Sequence, residues 1–333
     1  MRNFRKILLR VLLLGAFLMV FNKAVRFVYE EPNQNVIYTR SDLKKSNGEV
    51  ETLILGTSLM HWGVNGQVLG EVLDSPTFNL ATSSQPMDGT YYLLKDQIKH
   101  NPLKRVFLGV HVTVMQNDTN SNINLRRGIF DRIQSPLGKL EYMFKTAEPK
   151  EYESYLFYST RVDNVMTWEV AKSNVKYKLS DDYRNNKSPE NSRYTYQTMG
   201  DENTEKIYDG SFSVEKLRKS TVWNRKRLLE INTTHLQKIA DICKKNGVEL
   251  NLVIPPMTWE YTKHAGDLDD MHNYFQEFCD ENDANLYDFT YYDGIYDIFP
   301  NEYFQDKKHL NARGAVKFAE LIGETYLEDH EEQ

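Results

Sequence analysis

The residues best suited to chemistry lie in a short turn around position 58. An apolar run, Thr52–Leu55, is followed directly by Gly56, Thr57 and Ser58. Because glycine carries no Cβ, a strand ending at Gly56 can turn sharply and present the next polar side chains at the carboxyl edge of a sheet. Ser58 is therefore a candidate nucleophile for acyl transfer, with free helix N–H groups nearby for an oxyanion. The same residues also occur in turns that have no chemical role.

Two further residues suited to catalysis lie near the end of the chain. Asp306 and His309 are three positions apart and precede a helix that we predict from about Asn311. At that spacing the carboxylate can accept the imidazole Nδ1–H bond while Nε2 faces a serine. An aspartate at a helix entrance beside a surface histidine is the alternative without chemistry. Together with Ser58, the pair favours a Ser-His-Asp triad.

Three motifs resemble the sequence blocks of the SGNH (GDSL-type) hydrolases: Gly56-Thr57-Ser58, residues 78–85 and Asp306-x-x-His309. Within that superfamily the chain looks most similar to the membrane-anchored, envelope-facing branch, which includes alginate acetyltransferase-like proteins and the D-alanine transfer protein of teichoic-acid pathways. The resemblance implies a three-layer α/β/α, flavodoxin-like fold around a parallel five-stranded sheet. It also implies that Ser58, Asp306 and His309 are the catalytic residues.

Two positions depart from the family pattern. Ser84 stands where the family usually has an oxyanion-hole glycine, and Leu108-Gly-Val-His111 replaces a Gly-x-Asn block. The backbone of Ser84 and the side chain of His111 are the candidate oxyanion donors, and an incomplete oxyanion hole is the alternative. His61, one helical turn beyond Ser58, is a third candidate for the substrate pocket, although a histidine beside a tryptophan is more often a packing residue.

Alternating strands and helices place these residues on one sheet edge. Short apolar runs predict buried parallel strands, and apolar side chains at helical spacing predict the helices between them. The predicted strands are residues 52–55, 77–80, 105–112, 249–254 and 285–288, and the predicted helices are residues 64–73, 87–100, 222–246, 267–280 and 311–327. Right-handed crossovers then bring Ser58, Ser84 and His111 to the carboxyl ends of the strands.

The N-terminus has the pattern of a membrane anchor. Ile7 to Val28 would span about 33 Å as a helix if Arg10, Lys23 and Arg26 reached the two interfaces. A cleaved signal peptide is the alternative, and the lack of a clear cleavage site favours an uncleaved anchor. We therefore predict residues 1–29 as a single-pass transmembrane helix, with the remainder of the chain extracytoplasmic.

Residues 30–333 are predicted to form the SGNH-like domain, beginning with a polar linker at 30–50. The strand–helix pattern breaks at about residues 116–221, a stretch too long for a plain loop, which predicts an inserted subdomain or lid. Its tyrosines and Trp168 either stack on sugar rings or pack the insert onto the sheet, and packing is the favoured interpretation.

Charge and composition exclude several classes of function. The first 29 residues carry six basic and no acidic side chains, which leaves a net charge of -12 for the remainder. An acidic surface argues against a nucleic-acid partner. Cys243 and Cys279 lie on separate predicted helices and form no C-x-x-C motif; the sequence leaves open whether they are bridged. We expect no metal and no cofactor.

The sequence therefore predicts a serine-dependent O-acyltransferase, most simply an O-acetyltransferase, acting on an extracytoplasmic cell-envelope glycan. The family resemblance implies that a multi-span membrane acyltransferase supplies the acyl groups and that a glycan accepts them. A carbohydrate esterase or deacetylase would use the same triad. A non-catalytic anchored subunit of an acylation complex is the alternative from another class, and convergence of the three side chains within about 4 Å distinguishes the enzyme from it.

Overall fold

A parallel sheet organises the chain. The computed structural model describes residues 2–32, 35–162, 167–189, 192–214 and 221–331. Its strands are β1 (Thr52–Leu55), β2 (Thr77–Asn79), β3 (Arg105–Gly109), β4 (Thr195–Tyr196), β5 (Glu202–Asn203), β6 (Glu249–Ile254) and β7 (Asn285–Asp288). Five of them form one parallel sheet in the order β2-β1-β3-β6-β7, and β4 pairs with β5 alone. That order is the flavodoxin-like one, so the predicted α/β class and five-stranded parallel sheet are confirmed.

Helices connect the strands and cover both faces of the sheet. They are α1 (Arg2–Tyr29), α2 (Asn35–Lys45), α3 (Ser58–His61), α4 (Gly66–Val72), α5 (Met87–His100), α6 (Val112–Gln116), α7 (Ile123–Arg132), α8 (Pro136–Thr146), α9 (Tyr152–Leu156), α10 (Trp168–Lys178), α11 (Asp181–Arg184), α12 (Glu230–Asn246), α13 (Trp259–Thr262), α14 (Leu268–Asn282), α15 (Ile295–Ile298) and α16 (Ala312–Glu331). Several boundaries differ from the predictions by one to eight residues. The third strand ends three residues early at Gly109, and α12 begins at Glu230 rather than near residue 222.

Alternate side chains of each central strand enter different cores. In β1, Leu53 and Leu55 pack with α5, α12 and α14 on one face, whereas Ile54 packs with α4 and α16 on the other. The same alternation holds in β3, where Leu108 and Phe107 face opposite layers. Strands buried on both faces are mainly apolar, which explains why runs of apolar residues located them from sequence. The result is a three-layer arrangement with the carboxyl strand ends at one edge.

The N-terminal segment is helical but differs from the prediction. Among the residues that the structure describes, no helix is sufficiently long and apolar to cross a membrane. Within α1, the run without charges lies between Arg10 and Lys23. Its apolar part, residues 11–21, is about 16 Å long as a helix, against about 30 Å for a hydrocarbon core. The transmembrane helix predicted from Ile7 to Val28 is not found among the described residues.

The polar linker predicted at residues 30–50 is wrong. Residues 35–45 form α2, which buries Val36 and Leu43 and packs against α7. Asp42, also buried, accepts a hydrogen bond of 2.7 Å from the Tyr196 hydroxyl. Because a polar residue of this segment is buried by a bond to a distant part of the chain, polarity here does not indicate a linker.

The insert packs onto the main sheet. Part of the predicted range of residues 116–221 lies outside the described residues, namely 163–166, 190–191 and 215–220. In the described part, Tyr142 and Tyr155 are buried in the same core as the sheet, as favoured from sequence, while Trp168 is 74% exposed. Tyr142 and Tyr155 thus have a structural role, whereas another aromatic residue of the insert, Tyr194, lies near the candidate active site.

Candidate active site

The candidate nucleophile is placed by a turn that only glycine can make. Gly56 has φ +130°, and a Cβ there would lie 3.0 Å from Met60 Cγ and 3.1 Å from the Gly109 backbone. The chain therefore leaves β1 against the end of β3, and Ser58 becomes the first residue of α3. The Ser58 side chain is half-buried at the carboxyl edge of the sheet.

The loop that carries Asp306 and His309 is closed on itself by hydrogen bonds. Phe304 and Leu310 form a β-bridge at its ends, and the Gln305 side chain donates to the Leu310 carbonyl at 3.0 Å. From the end of β6, the Thr258 hydroxyl donates to the Lys307 carbonyl at 2.7 Å. Because both ends and the middle are tied down, the loop holds its histidine in one place over the sheet edge.

The three predicted catalytic side chains converge in one chain of hydrogen bonds. Ser58 Oγ lies 2.8 Å from His309 Nε2, and His309 Nδ1 lies 2.9 Å from Asp306 Oδ2. Asp306 Oδ1 also accepts the backbone N–H groups of Lys308 at 3.0 Å and His309 at 3.1 Å. These bonds fix the carboxylate, so the imidazole donates from Nδ1 and leaves Nε2 free to accept the serine proton.

The ionisation of the pair suits a general base. Burial raises the pKa of Asp306, but the bonds from His309 and from two backbone N–H groups outweigh it and bring the pKa to about 2. Burial lowers the pKa of His309 below 6.5, and the opposing effect of Asp306 does not reverse this. At neutral pH the site therefore holds a carboxylate and a neutral imidazole.

This ionisation predicts the pH dependence of activity. We expect kcat/KM for a neutral ester to be constant above about pH 7. Below pH 6.5 it should fall as a single proton binds, because protonation of His309 removes the base. Asp306, with a pKa of about 2, adds no step over this range. A pH–rate profile from about pH 4 to pH 9 measures this. A midpoint above 6.5 would contradict the burial argument.

The segment after β2 is bonded to the nucleophile turn. The Gln85 side chain accepts the Gly56 N–H at 3.1 Å, and the Thr82 N–H donates to the Gly56 carbonyl at 3.1 Å. Between them, Ser84 is exposed and has φ +53°, a left-handed conformation that glycine adopts most easily. Ser84 thus keeps a glycine-like backbone at the position where the sequence lacks the glycine.

His111 follows β3 at the same edge and has an unusual hydrogen-bonding state. It is 2% exposed, and its Nδ1 accepts the Thr113 N–H at 3.3 Å as the N-cap of α6. Because Nδ1 accepts, the proton of the neutral ring is on Nε2. Nε2 is buried and has no hydrogen-bond partner within the described residues. Burial, with the charges of Lys308 and His309, lowers the pKa of His111 to about 3. The ring is therefore a neutral N–H donor without an acceptor.

Residues that the sequence did not single out complete the surroundings of the triad. Trp62 contacts the His309 ring edge-on at 5.2 Å between centroids, and Tyr194 from the insert stacks on Trp62 at 4.4 Å. Glu202, also from the insert, bonds to His61 Nε2 at 2.9 Å and to the Trp62 indole N–H at 3.1 Å. His61 is 4% exposed and is held in this cluster. No local pattern marks Tyr194 or Glu202, because both reach the site from a distant part of the chain.

Metal-ligating clusters and thiols are the other groups suited to chemistry. Within the described ranges, no group of three or more His, Cys, Asp or Glu side chains is placed to hold a metal ion. Cys243 and Cys279 are buried free thiols, and burial raises the pKa of each to about 12. Neither thiol is part of the candidate site.

Comparison with known proteins gives little. No protein-family model and no curated protein matches the chain. Among solved structures, a Bacteroides fragilis protein provisionally described as an acylhydrolase aligns with a TM-score of 0.37 and 7% identity, over 88% of this chain and 95% of that one. A similarity of this size carries no argument about fold or function, which rest on the geometry described above.

Proposed function

We propose that the protein is a serine-dependent acyl-transfer enzyme, an O-acyltransferase or esterase that works through a covalent acyl-serine. The observation that carries the proposal is the continuous chain from Ser58 Oγ to His309 Nε2 at 2.8 Å and from His309 Nδ1 to Asp306 at 2.9 Å. The resemblance of the sequence motifs to the SGNH hydrolases supports the same assignment. A chain without catalytic function has no need of this order and spacing.

The first half-reaction follows from the protonation states. His309 Nε2 takes the proton from the Ser58 hydroxyl as Oγ attacks the acyl carbonyl, and Asp306 stabilises the imidazolium that forms. The tetrahedral intermediate then expels the donor alcohol, which takes that proton from His309. In the second half, an acceptor hydroxyl or water gives its proton to His309 and attacks the acyl-serine. The second tetrahedral intermediate then expels Ser58 Oγ, which takes that proton from His309.

Three N–H groups are the proposed oxyanion donors. They are the backbone N–H groups of Ser58 and Ser84 and the Nε2–H of His111. His111 supplies the side-chain donor that an asparagine gives in the resembling family, and its lack of a partner within the described residues supports this role. Each such donor contributes about 3 kcal/mol to transition-state stabilisation.

Transfer to a sugar hydroxyl is the proposed outcome, with hydrolysis as the alternative. Trp62 and Tyr194 cover one side of His309 with apolar surface. Keeping water away from the acyl-serine favours transfer over hydrolysis. An envelope glycan as acceptor, a membrane acyltransferase as the source of acyl groups and an extracytoplasmic location come from the resemblance and stay predictions.

The test combines covalent labelling with product analysis. We expect the full-length protein to react with a fluorophosphonate at Ser58, located by peptide mass spectrometry, with Ser83 and Ser84 unlabelled as internal controls. With p-nitrophenyl acetate as donor, acetyl groups appearing on an added oligosaccharide identify a transferase, and release without acceptor identifies an esterase. Absence of both label and release would contradict the proposal and favour a binding subunit.

A further inference from the structure

A cavity of about 510 Å³ lies beside the triad. Trp62, which contacts His309, forms part of its wall, together with the loop at Thr82 and Ser83. The opposite walls come from α2 and from α7. A saccharide of one or two rings fits such a volume. None of the triad residues lines the cavity, so it is placed to hold only a part of a substrate that extends from Ser58 past Trp62.

The cavity contains a buried guanidinium with no ion pair. Arg132 is 8% exposed, and its bonds go to the Gly128 carbonyl at 3.0 Å and to Asn35 Oδ1 at 3.2 Å. Neither acceptor carries charge, and no carboxylate in the described part of the chain lies within ion-pair distance of Arg132. Burial lowers the pKa of Arg132 to about 10, although the charges of Asp131 and Glu202 raise it in part. An anion bound directly to the guanidinium would offset the remaining cost of burying the charge.

The neighbouring carboxylates are occupied by other groups. Asp131 pairs with Arg161 at 2.6 Å and with Arg26 at 3.0 Å. Glu202, as described above, bonds to His61 and to the Trp62 indole. Arg132 uses two of its five guanidinium N–H groups in its two bonds, so three are left to donate to a ligand.

The remaining carboxylate of the cavity wall is Glu30. It pairs with Arg26 at 2.8 Å and with Arg40 at 3.0 Å. Each carboxylate of the cavity wall thus bonds to another group, and Arg132 is the buried arginine left without a carboxylate ion-pair partner within the described residues.

A second observation at the same wall also points to an absent acceptor. Asn35 uses Oδ1 for Arg132, whereas its Nδ2 is buried and has no hydrogen-bond partner within the described residues. An amide N–H₂ and a guanidinium side by side match the oxygens of a carboxylate or a phosphate. Water can occupy such a site, but it does not neutralise the cation.

We propose that Arg132 and Asn35 bind a carboxylate or phosphate group on the acceptor saccharide and so direct one of its hydroxyls to Ser58. This inference rests on the proposed acyl-transfer function for the identity of the site, but the binding step is independent of turnover. Carboxylate and phosphate share the chemistry that the cavity recognises, and the experiment separates them.

The test is a calorimetric titration of the full-length protein with glucuronic acid, glucose 6-phosphate and glucose. We expect at least about tenfold tighter binding of one anionic sugar than of glucose, and loss of that difference in Arg132→Gln. The better anionic sugar identifies carboxylate or phosphate as the preferred group. Arg184→Gln, which removes an exposed guanidinium elsewhere, is the matched control and should leave all three affinities unchanged.

A second variant keeps the test valid if Arg132→Gln folds poorly. Asn35→Asp places a carboxylate beside Arg132, so we expect a higher Tm together with loss of the anionic preference. Equal affinities for glucose and both anionic sugars in the wild type, or an anionic preference that survives Asn35→Asp, would overturn the proposal. If anionic binding is found while Ser58 neither labels nor turns over an ester, anion binding by Arg132 and Asn35 stands, whereas the acyl-transfer function and the direction of a hydroxyl to Ser58 fail.

Discussion

Replacing Ser58 with alanine should lower kcat for p-nitrophenyl acetate by about 10⁴- to 10⁶-fold, with much smaller change in KM. The hydroxyl is the only group of the triad that forms a bond to the acyl carbon, and its Oγ already lies 2.8 Å from the base. Without it no acyl-serine forms. The oxyanion donors and the bound geometry remain, so we expect a residual activity above the uncatalysed rate.

The control for this measurement is Ser173→Ala, an exposed serine on α10 away from the site. It should leave both kcat and KM unchanged. The fluorophosphonate label should disappear in the Ser58 variant and remain in the control. If Ser58→Ala kept more than about one-tenth of the wild-type kcat with an unchanged melting temperature, Ser58 would not be the nucleophile.

Local pattern was sufficient where the chain is buried on both sides. The strands Thr52–Leu55 and Glu249–Ile254 were predicted with the bounds that the structure has, because they are mainly apolar and buried. The half-buried edge strand Asn285–Asp288 was also predicted with its bounds. The spacing of Asp306 and His309 was equally informative, since a carboxylate can reach an imidazole three residues on without help from other elements. The structure brings this pair to Ser58.

Predictions from local sequence pattern were wrong where polar residues bond to distant parts of the chain. Residues 35–45 were expected to be linker because they are polar, yet Asp42 is buried by bonding to Tyr196, more than 150 positions away. Tyr194 and Glu202 likewise reach the triad from the insert. Sequence pattern shows which side chains are polar, but it does not show which of them are buried or which hydrogen-bond partners they have.

The state of Arg132 illustrates the limit most clearly. At the end of an amphipathic helix, an arginine is ordinarily a solvated residue near the helix C-terminus, where it suits the dipole. The structure buries it because α2 covers α7, and α2 was not predicted. Neither α2 nor α7 was predicted, so the sequence did not indicate the cavity wall that they form or the buried cation within it.

Substitution of His111 by leucine should lower kcat by about 10²- to 10³-fold with little change in KM, which is the usual cost of one oxyanion donor. His111→Asn is the informative partner variant. Its Oδ1 can accept the Thr113 N–H that caps α6, and its Nδ2 can donate in place of Nε2, so we expect most of the lost activity to return.

The two variants separate catalysis from structure. Leucine removes the helix cap as well as the donor, so its melting temperature should fall, by an amount that corresponds to about 1 kcal/mol. A purely structural role would make kcat follow the folded fraction at each temperature. An oxyanion role instead lowers kcat in fully folded His111→Leu protein, and leaves fluorophosphonate labelling of Ser58 slower but complete. If His111→Leu retained wild-type kcat, Nε2–H would not face the oxyanion, and the backbone N–H groups of Ser58 and Ser84 would have to stabilise it alone.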